Sequence, residues 1–242
     1  MNPPAAASAD AESNTPSGTL SEAESKRLLS DFGIPFAEER MVDSPQAAAE
    51  AAAELGMPVV AKLCGDNIAH KTERGLVRLG LSSTSDVLDA TDEWLAAARP
   101  EESATGVLIA PMVAGDRELI AGASTDAQFG HTVLLGIGGI LAEAVADVSI
   151  RLAPITELDA HEMIEDLRAQ SLLGEFRGQP PIDRAALCAT LLGLSDAICN
   201  ASHDGASINS IDLNPLIVCD GTPIAVDALV ELGGADSAAG RN

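Results

Sequence analysis

Asp212 and Asn214, in the run Ile211-Asp212-Leu213-Asn214-Pro215-Leu216, put a carboxylate and an amide two residues apart on a predicted strand. Side chains alternate along a strand, so the two project from one face. Pro215 has no N–H to donate, and is expected to end the regular ladder there. Thirteen residues beyond Asn214, a second strand-like run, Pro223-Ile224-Ala225-Val226-Asp227, delivers another carboxylate. Two anionic oxygens and one amide oxygen, rigidly held, form a hard donor set suited to Mg²⁺ carrying a nucleotide phosphate. A hairpin with polar residues on its wet face has the same spacing, so spacing alone leaves both readings open.

Cations for such a site are scarce. The chain has 242 residues and a formal net charge of −23, and its only lysines are Lys26, Lys62 and Lys71. That surface repels nucleic acid and anionic membranes, and 2% aromatic residues leave little for base stacking, so neither partner is expected. Lys62, Lys71, Arg74 and Arg78 fall close together in sequence and would have to supply a local positive potential. At 46% hydrophobic the chain is globular, and its length suits one large domain or two small ones. Cys64, Cys188, Cys199 and Cys219 lack metal spacing and read as small buried hydrophobes in a reducing compartment. With no signal-peptide pattern and no apolar run of spanning length, the expected location is cytoplasmic.

The elements that must position these residues are legible from caps and periodicity. Residues 1–18 read as a disordered tail of Ala, Ser, Pro and acid. Ser21 with Glu24 forms a capping box before an apolar stripe of Leu28, Leu29 and Phe32, and Gly33 stops that helix. Ser44-Pro45 opens an Ala-rich helix that closes near Gly56. A strand over 58–63 leads into a polar loop over 64–74, and alternation predicts a strand over 77–81. A helix over 86–98 and a strand over 106–109 complete a first unit, 19–110. A second unit, 111–232, has strands over 118–123 and 132–136 and a glycine-rich turn. Helices over 158–169 and 183–201 follow, and then the strands bearing Asp212, Asn214 and Asp227. Residues 233–242 read as a tail. The class is α+β, as two units that could clamp a nucleotide between them.

Four segments in this order carry a resemblance: Pro58-Val59-Val60-Ala61-Lys62, then Ile68-Ala69-His70-Lys71-Thr72-Glu73, then Gln128 through Ile140, then Asp212-Leu213-Asn214-Pro215-Leu216. Together they resemble the ATP-grasp (β-type) subunit of ADP-forming acetyl-CoA and acyl-CoA synthetases, relatives of succinyl-CoA synthetase. The resemblance runs from about residue 20 to 231 and implies an ATP-grasp fold. The activity it implies is conversion of acid, CoA and ATP to acyl-CoA, ADP and phosphate.

Several roles follow from the resemblance. Lys62, which in isolation could simply snorkel to water, would contact nucleotide phosphates. His70, otherwise a surface loop residue, would carry the phosphoryl group, for which neutral imidazole is a competent acceptor. Lys71 and Arg74 would stabilise the phosphorylated ring. Gly138 and Gly139 would let backbone approach the ligand, with Glu143 and Arg151 beside the nucleotide. Asp212, Asn214 and Asp227 would hold Mg²⁺. The implied partner is a CoA-binding α-type subunit carrying its own phosphohistidine, in a heterotetramer, because no Gly-x-Gly-x-x-Gly segment for CoA is present.

The match has gaps. Gly75-Leu76 stands where relatives often have Gly-Gly, Ala110-Pro111 where many have Gln-Glu, and Asp212 where succinyl-CoA synthetase has Glu. Adenine contacts through the 110–111 linker are therefore expected to be weak, since Pro111 cannot donate. Two alternatives stay open: an ATP-grasp carboxylate–amine ligase, which would not need His70, and a non-catalytic ATP-grasp regulatory module.

Overall fold

The computed structural model describes residues 18–65, 75–97, 104–139 and 146–233. Two antiparallel sheets organise it. The smaller sheet has the order β2 (Arg40–Val42), β5 (Ala104–Pro111), β3 (Val59–Gly65), β4 (Val77–Leu81). Two helices cover one of its faces. The first, α2 (Pro45–Leu55), starts where the Ser44 hydroxyl accepts from Ala47 N–H and Pro45 fills the first turn. It ends at Gly56, whose φ of 86° a side chain would disfavour. The second is α3 (Thr84–Ala97). Val59, Ala61 and Leu63, alternate residues of β3, are buried against Ala48, Ala52, Val87, Ala90 and Trp94. The opposite face of β3 carries Lys62 and turns away from this core.

The larger sheet has eight strands. Its main path is β1 (Gly18–Thr19), β12 (Leu229–Leu232), β10 (Ala206–Cys219), β6 (Glu118–Asp126), β7 (Gly130–Ile137), β8 (Val148–Leu152). Strands β9 (Ser202–His203) and β11 (Thr222–Ala225) pair with the two ends of β10. Helices α4 (Glu157–Asp166) and α6 (Arg184–Asn200) cover one face, with the short α5 (Gln170–Leu173) between them. Leu119, Ala121, Val133, Leu135, Ile211 and Leu213 point into that core and meet Leu187, Leu191 and Leu194 of α6. The other face bears Asp212.

Packing assigns the segment before the smaller sheet to the larger unit. Helix α1 (Glu22–Ser30) begins at the capping box that Ser21 forms with Glu24. Yet Leu20, Leu29 and Ile34 bury into the larger core, and Phe36 bridges to Ala225. The N-terminal segment therefore packs on the larger sheet before the chain crosses to build the smaller one. Gly18, expected to lie in the tail, pairs with Leu232.

Three local expectations are corrected. Pro215 does not end its strand: β10 runs on to Cys219, and the ladder absorbs the proline at a register shift between Leu213 and Leu216. Strand β11 stops at Ala225, so Asp227 lies in the connection to β12 rather than within a strand. Pro111 is the last residue of β5, paired with Val59, and not a free linker position.

Candidate nucleotide site

The face of the larger sheet opposite the helices is built outward from β10. Asp212 and Asn214 are both exposed, while Leu213 between them is fully buried, so the two share that face. Asp212 lies between Leu229 on β12 and Gly122 on β6, where a Cβ at Gly122 would stand 2.7 Å from the Ile211 carbonyl oxygen. Asp227 is aligned by the same ladder. Leu216 pairs with Ala225 on one side of the break, Asp212 pairs with Leu229 on the other, and Val226 N–H donates to Pro215 O at 3.2 Å between them. One register spans the gap and sets Asp227 opposite Asn214. Side chains that face each other in this way are near neighbours.

Lys62 approaches from the smaller sheet. Its side chain crosses to the larger unit, where Nζ donates to Val226 O at 2.8 Å and to Glu22 Oε1 at 2.7 Å. Asp227 Oδ1 stands 3.8 Å from the same nitrogen. The ammonium is thus set beside the carboxylates although the residue is only 8% exposed.

The electrostatics fit a divalent cation. Crowding by protein pushes the Asp212 carboxyl above its ordinary range, and the charge of Asp227 pushes it further. A cation bound between them would relieve that repulsion. Among the described residues no three His, Cys, Asp or Glu converge, so the protein offers two carboxylates and the Asn214 amide. That is a usual set for Mg²⁺, which keeps several waters and takes phosphate oxygens as further ligands.

The other expected site residues separate into groups. Gly138 and Gly139 sit at the end of β7. Gly138 N–H donates to Glu118 O at 2.8 Å, and a Cβ there would lie 3.0 Å from the Leu119 carbonyl carbon. Gly138 is thus required by the close approach of β6, and its donor is already used. Arg151 is not on the face that bears Asp212. In β8 it pairs with Val133, whose side chain is in the helix-side core, and its guanidinium donates to Asp166 at 2.6 Å. The alternation of β8 turns Arg151 towards α4, where Asp166 holds it. His70, Lys71, Arg74 and Glu143 lie outside the described residues. Glu22 and Lys26 escaped the sequence reading. The available signal was their i, i+4 spacing, with Lys26 on the buried stripe of α1.

A lysine of the smaller sheet thus reaches the Glu22 carboxylate and the Val226 carbonyl oxygen of the larger unit. A family model of the ATP-grasp domain matches residues 11–232, and the chain belongs to that family. The β subunit of the ADP-forming acetate–CoA ligase II of Pyrococcus furiosus is 36% identical over 219 residues, which are 88% of this chain and 91% of that subunit. The dinucleotide-forming acetyl-coenzyme A synthetase 1 of Ca. Korarchaeum cryptofilum, solved with coenzyme A, Ca-AMPCP and HgCl⁺, matches with a TM-score of 0.80 at 34% identity, covering 89% of this chain and 94% of that one. The same enzyme with coenzyme A and Mg-AMPPCP, its phosphohistidine segment pointing towards the nucleotide-binding site, matches at 0.72 and 33%, covering 88% and 92%. Within the ATP-grasp family the chain belongs with the β subunits of the ADP-forming acetate–CoA ligases.

Proposed function

We propose that this chain is the nucleotide-binding subunit of an ADP-forming acyl-CoA synthetase, active with a CoA-binding α-type partner. The observation that carries the reading is the line from Lys62 to Asp227 to Asp212 across the two sheets, with the Lys62 ammonium 3.8 Å from Asp227. Asp212, Asn214 and Asp227 would hold Mg²⁺, which when bound offsets charge on the nucleotide phosphates. Lys62 would place its ammonium on the same phosphates, where positioning and charge stabilisation supply most of the catalysis of phosphoryl transfer. Kinship with β subunits supports the partner, and a heterotetramer is the assembly proposed. Among the described residues no helix is long and apolar enough to cross a membrane, and the cytoplasm is the proposed place of action.

On the partner, orthophosphate displaces CoA from acyl-CoA, giving an acyl phosphate. A histidine of the partner takes the phosphoryl group and releases the acid. His70 then accepts it from that histidine and passes it to the β-phosphate of ADP, forming ATP. The relay through His70 rests on the sequence resemblance.

The test mixes this chain with its partner, acetyl-CoA, radiolabelled phosphate and Mg²⁺. This chain should acquire an acid-labile, base-stable label that ADP discharges and that His70→Ala abolishes, while the variant still binds Mg·ATP. Full ATP synthesis by His70→Ala would show instead that phosphate passes directly from the partner's histidine to ADP.

A further inference from the structure

We propose that Glu22 is a positioning residue for Lys62, holding its ammonium at the cleft with Lys26 as the counterweight that keeps the grip shareable. This rests on the reading of Lys62 as the phosphate lysine. Glu22 is 2% exposed and lies in the first turn of α1, on the larger unit. Its Oε1 accepts from Lys62 at 2.7 Å and from Lys26 at 2.8 Å. Lys26, 5% exposed, donates in turn to Glu39 at 2.6 Å. Two of the three lysines of the chain therefore meet on one carboxylate oxygen.

The geometry assigns the N–H groups of Lys62. An ammonium has three, and Glu22 and Val226 O take two of them. Asp227 at 3.8 Å is beyond a hydrogen bond, so among the described residues the third N–H remains for a phosphate oxygen. A free lysine side chain has much rotamer freedom to lose, and fixing it beforehand removes much of that cost from the transfer step.

The balance of charge explains the second lysine. In a chain of net charge −23, an isolated buried carboxylate would hold Lys62 against any incoming phosphate. Lys26 shares the Glu22 charge and pairs with Glu39 as well. The α1–β3 contact also crosses between the two sheets, so Glu22 ties the lysine of the smaller unit to the metal ligands of the larger one. The competing explanation is a buried charge network that specifies the fold and does nothing for transfer.

Glu22→Asp separates the two. It keeps the charge balance, so the chain should fold, but it withdraws the oxygen by one methylene from a lysine on another element. With the partner present, kcat for ATP synthesis from acetyl-CoA, phosphate and ADP should fall roughly ten- to a hundredfold, as expected for a misplaced reacting group. Affinity for Mg·ADP should change by no more than about threefold, because the positive charge stays in the cleft and only the transfer geometry is lost. Glu22→Gln, which removes the charge and keeps the shape, should show the same split. A Glu22→Asp enzyme with kcat within about twofold of the parent overturns the proposal. So does a parallel loss of kcat, affinity and melting temperature. If the parent chain itself bound no Mg·ADP with its partner present, the reading of the site would fail, and this inference with it.

Discussion

Asp227 shows how much a single side chain is asked to do at this site. Its backbone sits just outside a strand, its Oδ1 accepts from Ala228 N–H at 2.9 Å, and its charge acts on both Lys62 and Asp212. Asp227→Asn keeps the shape and removes one full charge from the proposed Mg²⁺ site. Mg·nucleotide affinity should fall by roughly ten- to a hundredfold, the span typical when supports of a metal site are lost. Asn214→Ala should weaken binding as well, since it deletes the neutral oxygen opposite Asp227. Calorimetric titration with Mg·ADP, with melting curves to confirm the fold, measures both. Unchanged affinity in Asp227→Asn would place the cation elsewhere. Arg151 teaches the converse lesson at the same scale: a cation expected at the nucleotide is held by Asp166 on the far face.

At the scale of elements, the seat of α1 against α6 decides whether the N-terminal segment can present Glu22. Gly193 lies in the middle of α6, where alanine would ordinarily gain about 1 kcal/mol of helix propensity. A Cβ at Gly193 would stand 2.5 Å from the carbonyl oxygen of Phe32, just beyond the end of α1, and 3.2 Å from Ile34 Cγ1. Backbone must shift to admit it, and overpacking of this kind costs about 1–3 kcal/mol. With backbone on both sides of the clash the steric cost exceeds the propensity gain, so Gly193→Ala should lower stability by up to about 2 kcal/mol in urea unfolding. A stabilised variant would mean that the α1–α6 contact is soft. Lys62 should feel the displaced helix, and a fall in kcat beyond that explained by unfolded protein is the second readout.

The whole molecule carries 37 acidic against 14 Lys and Arg residues. Compaction brings those charges together, and among the described residues only a few are buried in opposed pairs such as Glu22 with Lys26 and Lys62. Screening should therefore stabilise the fold. Raising NaCl from about 0.05 to about 1 M shortens the Debye length from roughly 14 to roughly 3 Å. The melting temperature should rise by a few degrees, since about 1 kcal/mol corresponds to roughly 2–4 °C for a chain of this size. Divalent cations must be left out of that experiment, because they would act at Asp212 and Asp227 instead. A flat or falling melting temperature would mean that attraction between opposite charges outweighs the surplus of acid.

By itself the sequence determined whatever depends on near neighbours. The capping box at Ser21 and Glu24, the Ser44-Pro45 helix start, the strand over Val77–Leu81 and the shared face of Asp212 and Asn214 are set by positions within a few residues. The motif order from Lys62 to Asn214 was enough to place the chain in its family. Tertiary structure alone decided what crosses the cleft. Lys62 reaches Glu22 over 40 positions and Val226 over 164, separations for which no periodicity carries a signal. It likewise decided that residues before the smaller sheet pack on the larger one, because burying Leu20, Leu29 and Ile34 requires an apolar surface built only by later strands. Arg151 was misplaced for the same reason. Until β8 is paired beside β7, nothing in the chain says which face of the sheet its side chains will share, and pairing is a property of the folded molecule.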